Sequence, residues 1–112
     1  MHQNQLTAEE LDRAFAALSD PIRRQIIARL SISDATVNEL AAPFDISLQA
    51  ISKHLQVLQN AGLISRRREA QRRPCHLIRE NLAQLTAWIN EYSTEQEQKF
   101  QRLEALLTNE KD

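Results

Sequence analysis

A single glycine, Gly62, stands among the 112 residues of this chain, with only three prolines. The backbone therefore has few places to take a positive φ or to break regular structure cheaply. Such a chain is driven toward long helices and away from glycine-rich loops and linkers. Its length suits one domain. A hydrophobic share of 42% is enough for a small core.

Helical periodicity and start signals divide the chain. Thr7, followed by Glu9 and Glu10, opens a first helix over residues 7–19, with Leu11, Phe15 and Leu18 at helical spacing. Asp20-Pro21 ends it and caps a second helix over 20–31, whose apolar face is Ile22, Ile26, Ile27 and Leu30. Residues 31–35 read as a polar connection. Thr36-Val37-Asn38-Glu39 is a capping box for a short third helix over 36–43. Ser47 caps a fourth over 47–60, and Gly62 is placed to end it in a left-handed conformation. Two short helices joined by the tight turn Phe44-Asp45-Ile46 make a helix-turn-helix candidate. Residues 63–79 change pattern: Leu63-Ile64-Ser65-Arg66 and Cys75-His76-Leu77-Ile78 read as the strands of a β-hairpin wing, although no Asn-Gly or Asp-Gly marks its turn. A last helix spans 81–108. The predicted class is mainly α with one small hairpin, a winged helix-turn-helix in a single domain.

The fourth helix carries the functional argument. At about 100° per residue, Ile51, Leu55 and Leu58 share one face while Gln49, Ser52, Lys53 and Gln56 share the opposite one. No acid occurs between Ser47 and Asn60. Carboxylates there would repel phosphates, whereas amides and hydroxyls can hydrogen-bond base edges in the major groove. Ser47, Gln49, Ser52, Lys53 and Gln56 are the candidate base readers. His54 sits at the edge between the faces, where it either donates to a phosphate or packs against the second helix. An ordinary solvated helix face would be expected to mix both charge signs.

Charge distribution agrees with a phosphate-facing surface. The net charge is −1, yet residues 20–79 carry ten basic and five acidic side chains between acidic ends. Five arginines fall within residues 66–73 beside one acid. Arg66, Arg67, Arg68, Arg72 and Arg73 are the candidate phosphate contacts, though alternation along a strand prevents all five from facing one way.

The last helix bears the stripe Leu82, Leu85, Trp88, Ile89, Tyr92, Phe100, Leu103, Leu106 and Leu107, too long for so small a domain to cover. A second copy is the expected cover, at an interface of Leu11, Phe15, Trp88, Ile89, Tyr92, Phe100, Leu103 and Leu107. Folding back onto the chain's own core is the alternative. Trp88 and Tyr92 could also line an effector pocket, but aromatic residues at this spacing more often form plain core.

Other classes lose ground. One glycine leaves no phosphate-cradling loop, and no catalytic constellation is presented, so an enzyme is not expected. Cys75 is the sole cysteine, so no internal disulfide forms and a reducing cytoplasm is the expected setting. His2, His54 and His76 share no ligand spacing, so neither metal nor cofactor is expected. No apolar run reaches the roughly 20 residues of a membrane span, and no apolar export signal opens the chain. A winged-helix module binding protein rather than DNA would show acids or an apolar patch on the fourth helix, and neither is evident.

Three segments together resemble a known family: Leu18-Ser19-Asp20-Pro21-Ile22-Arg23-Arg24, then Ser47-Leu48-Gln49-Ala50-Ile51-Ser52-Lys53-His54-Leu55-Gln56-Val57-Leu58, then Ala61-Gly62-Leu63-Ile64. Their order is similar to that of the ArsR family of bacterial winged-helix repressors over about residues 10–107. The resemblance implies five helices with a two-stranded wing, a homodimer built from the first and last helices, and repression through an operator in double-stranded DNA. It places the recognition helix at 47–60 and the wing at 66–73. Many members sense metals through cysteines in the third helix. Here Ala41 and Pro43 stand where thiolates would be expected, and the last helix offers Glu91, Glu95 and Glu97 without a histidine. The chain looks most like the subgroup without metal ligands.

Overall fold

The computed structural model describes residues 5–68 and 72–110 of the chain. Its first four helices begin where side chains can satisfy the first free N–H groups. α1 (Ala8–Ala17) opens on a reciprocal box in which the Glu10 N–H donates to Thr7 Oγ1 at 3.1 Å and the Thr7 N–H donates to Glu10 Oε1 at 2.9 Å. α2 (Pro21–Leu30) is capped by Asp20, whose Oδ2 accepts from the backbone of Ile22 at 2.8 Å and Arg23 at 3.1 Å. α3 (Val37–Ala41) repeats the box with Thr36 and Glu39. It stops short of the expected residue 43, because Pro43 has no N–H to offer a preceding turn.

α4 (Leu48–Asn60) starts on Ser47, whose side chain accepts from the Ala50 N–H at 3.1 Å. Its end explains the glycine. Gly62 has φ 75°, its N–H donates to Gln59 O at 3.0 Å, and the Leu63 N–H donates to Leu58 O at 3.0 Å. That pair of bonds closes the helix while turning the chain toward the sheet, and the left-handed residue between them must avoid a Cβ clash.

β1 (Ile64–Arg66) and β2 (Cys75–Leu77) pair antiparallel, with Ile64 opposite Leu77, Ser65 opposite His76 and Arg66 opposite Cys75. Ala35 adds a third rung on the other side of β2: Cys75 N donates to Ala35 O at 2.7 Å and Ala35 N to Cys75 O at 3.3 Å. The segment expected as a plain connection thus joins the sheet through one residue. Residues 69–71 of the expected wing lie outside the described residues.

α5 (Arg79–Glu110) is 32 residues long and begins before the expected residue 81. Asn81 Nδ2 donates to Gly62 O at 2.8 Å, fixing the start of α5 against the end of α4. The core gathers Ala14, Ala17, Ile26, Leu30, Leu40, Ile51, Leu55, Leu58, Leu63, Ile64, Leu77 and Leu85, one contribution or more from every element. Beyond Leu85 the long helix leaves this core, and every described side chain of residues 86–108 is exposed. Among the described residues no helix is long and apolar enough to cross a membrane.

Candidate nucleic-acid interface

α4 divides as its sequence requires. Ile51, Leu55 and Leu58 are fully buried, while Gln49, Ser52, Lys53 and Gln56 are exposed. Gln49, Ser52 and Lys53 have no side-chain hydrogen bond among the described residues, so their polar atoms are free to receive a ligand. Gln56 is partly committed, since its Nε2 donates to Asn60 Oδ1 at 2.9 Å. Ser47 is exposed; one lone pair of its oxygen is taken by the helix cap, and its O–H remains free to donate outward. Leu48, absent from the sequence expectations, is 52% exposed in the first turn of the same helix.

His54 lies against the second helix. Its Nδ1 is 3.2 Å from Arg23 Nη1 and 3.8 Å from Asp20 Oδ2. The Asp20 carboxyl is held below its ordinary value, first by the Arg23 backbone N–H, and also by the Ile22 N–H and the nearby His54 and Arg23 charges. Of the two sequence readings for His54, packing against α2 is therefore the observed contact, with a side chain still 19% exposed.

The wing arginines separate into three kinds. Arg67, Arg68 and Arg73 are exposed on the hairpin. Arg72 is exposed but engaged, with Nη2 3.0 Å from Glu39 Oε1. That same oxygen accepts from the Thr36 backbone N–H and hydroxyl, each at 2.9 Å. One carboxylate thus joins the wing to the cap of α3. Glu39 titrates lower than an ordinary glutamate, chiefly because of the Thr36 N–H and hydroxyl and then the Arg72 charge.

Arg66 differs from the expectation of a phosphate contact. Its Nε and Nη2 are buried and have no hydrogen-bond partner. It sits opposite Cys75, whose thiol is pushed up by burial against the pull of the Arg66 side chain, through its donors and its charge. Strand alternation turns this first arginine inward, the fate that alternation imposed on at least one of the five.

An open cleft of about 340 Å³ separates the start of α3 from the wing, lined by Thr36, Val37, Asn38, Arg72 and Arg73. Between α1 and α5, Phe15 meets Trp88 edge-on at 5.6 Å, and within α5 Trp88 meets Tyr92 at 4.7 Å. Leu11 and Phe15 are half-buried against the core. The rest of the expected interface is open: Trp88 is 42%, Phe100 61% and Leu107 53% exposed. Among the described residues, no group of three or more His, Cys, Asp or Glu side chains gathers where a metal ion could be held.

A capped helix-turn-helix followed by an arginine-bearing hairpin defines a winged helix-turn-helix protein. Comparison with known proteins agrees. A family model described as a helix-turn-helix domain matches residues 18–67. The transcriptional repressor SdpR of Bacillus subtilis is 41% identical over 61 residues, covering 54% of this chain and 68% of that protein. The crystal structure of an ArsR family transcriptional regulator, RHA00566, superposes with a TM-score of 0.75 at 36% identity, covering 83% of this chain and 96% of that one. The homodimeric winged helix-turn-helix DNA-binding domain of Mb0332 from Mycobacterium bovis, a possible ArsR-family regulator, gives a TM-score of 0.63 at 28% identity over 79% of this chain and 82% of that one. This chain belongs to the ArsR family of transcriptional regulators.

Proposed function

We propose that the chain acts as a homodimer that binds an inverted-repeat operator in double-stranded DNA and represses transcription there. The single observation that carries this reading is the outer face of α4, which is exposed, polar and free of acids from Ser47 to Asn60. Gln49, Ser52, Lys53 and Gln56 reach base edges, with glutamine suited to adenine. Leu48 supplies an apolar contact fit for a thymine methyl. Ser47, at the mouth of the helix, donates its hydroxyl. Arg67, Arg68 and Arg73 hold phosphates, and the cleft beside Arg72 and Arg73 admits one backbone strand. His54 contacts a phosphate at the edge of the helix.

Pairing through α1 and the exposed stripe of α5 presents two recognition helices about 34 Å apart, one turn of the duplex. The homodimeric state of the Mycobacterium bovis relative and the uncovered apolar face of α5 support this pairing. The small hollow of about 230 Å³ lined by Ala8, Leu11, Asp12, Phe15 and Trp88 lies on the same face, where the partner subunit fills it in preference to an effector. The role requires no catalytic step and no cofactor, and its setting is the cytoplasm, where the DNA lies.

The deciding experiment is binding to DNA selected from a random duplex library. Gln49→Ala is expected to cost about 1–3 kcal/mol on the selected site and far less on random duplex. Equal losses on both would remove Gln49 from base reading. Failure of the wild-type protein to bind any duplex at low ionic strength would remove the whole reading.

A further inference from the structure

The contact between α2 and the recognition helix contains a decision about one proton. Arg23 is held in place from several sides: its Nε donates to Ala17 O at 2.6 Å, its Nη2 to Ala16 O at 3.5 Å, and its backbone N–H to Asp20 Oδ2 at 3.1 Å. Its remaining terminal nitrogen, Nη1, lies 3.2 Å from His54 Nδ1. A guanidinium offers only N–H donors and stays charged in proteins. Nδ1 facing it can therefore only accept. A neutral imidazole that accepts at Nδ1 carries its proton on Nε2. The opposite tautomer would set N–H against N–H here and turn toward Asp20, 3.8 Å away. Nε2 makes no hydrogen bond among the described residues and is not one of the enclosed polar atoms lacking a partner. It therefore reaches solvent through the exposed fifth of the side chain.

We propose that Arg23 is a positioning residue that fixes the Nε2–H tautomer of His54, so that the recognition helix presents a ready donor to a DNA phosphate. The tautomer follows from the DNA-free geometry; only the identity of the acceptor rests on the DNA-binding reading. Arg23 touches no DNA in this arrangement. It acts through the ring, and it also ties the end of α1 to the start of α2, so the helix that donates to DNA is registered against the core by the same guanidinium.

The test has two arms. In the first, ¹⁵N-labelled protein without DNA is examined by long-range ¹H–¹⁵N correlation at a pH above the ring's titration. His54 is expected to show Nε2 as the protonated nitrogen and Nδ1 as the bare one. Arg23→Lys, which still donates, should keep that pattern, and Arg23→Met should shift the ring toward Nδ1–H. A protonated Nδ1 in the wild type, or a pattern indifferent to Arg23→Met, overturns the proposal. Thermal melts of both variants separate this from loss of fold. Should Arg23→Met fail to fold, the wild-type and Arg23→Lys spectra still decide the tautomer.

The second arm measures binding to the selected duplex. Arg23→Met is expected to weaken it about tenfold, as for loss of a hydrogen bond to a charged group. In a His54→Lys background, where the side chain only donates and has no tautomer to choose, the same substitution should weaken binding by less than about twofold. Equal losses in the two backgrounds overturn the route through the ring. If His54→Ala binds like the wild type while Gln49→Ala does not, the donor role is lost and the base-reading role stands.

Discussion

Phe100 offers the sharpest test of how two copies meet. It lies on the part of α5 that has left the core, and the residue is 61% exposed. Removing a large apolar side chain fully from water contributes up to about 3 kcal/mol. Covering only the fraction left open here contributes about 2 kcal/mol, and alanine would retain part of that, so truncation loses about 1.5 kcal/mol per ring. A two-fold axis makes the loss occur twice. Phe100→Ala should therefore raise the dimer dissociation constant by about a hundredfold, corresponding to some 3 kcal/mol. The fold of the single subunit should be unaffected, since the ring packs on nothing in the core. Sedimentation equilibrium gives the constant directly. Thermal melts over a range of protein concentrations supply a check, because melting of a dimer shifts with concentration. A variant that dimerises as tightly as the wild type, or a wild type that is itself a monomer at micromolar concentration, would refute this role for Phe100.

Arg67→Gln with Arg68→Gln should flatten the salt dependence of binding by up to about 0.9 for each phosphate no longer neutralised, equally on selected and random duplex; an unchanged slope would place both side chains away from the backbone. Arg66→Gln should leave that slope alone, because two of its three guanidinium nitrogens, Nε and Nη2, are buried, and should be seen instead in the melting temperature. Gly62→Ala should destabilise the subunit by about 1–2 kcal/mol, since φ is 75° and the added Cβ meets Asn81 Nδ2 at 3.3 Å; urea unfolding reads this, and an unaltered midpoint would refute it. The capping carboxylates Glu10, Asp20 and Glu39 all titrate below their ordinary values, each first because of a backbone N–H that it accepts. The folded state then binds fewer protons than the unfolded one, so their stabilisation is complete above the ordinary carboxylate range near pH 4 and is lost as pH falls through the lower folded values. Asp20→Asn keeps a cap without the charge, and should flatten the acid limb of a stability-against-pH curve below about pH 4; an unchanged limb would show that the cap charge is not what titrates.

The helices and their starts were written in local chemistry: Thr7 with Glu10, Asp20 before Pro21, Thr36 with Glu39 and Ser47 each satisfy N–H groups two or three residues away, so adjacent sequence suffices to read them. The two faces of α4 follow from the same short-range periodicity, as does the end at Gly62. Long-range pairing decided the rest. Arg23 meets His54 across 31 residues, Arg72 meets Glu39 across 33, and His76 Nδ1 meets Asp34 Oδ1 at 2.9 Å across 42. Nothing in a local pattern says which side of a strand an arginine such as Arg66 will occupy, or that Ala35 will bond to Cys75, until the elements pack. Local hydrogen bonding and helical period are properties of neighbours in the chain, whereas the orientation of a charge depends on what the folded core leaves for it to touch.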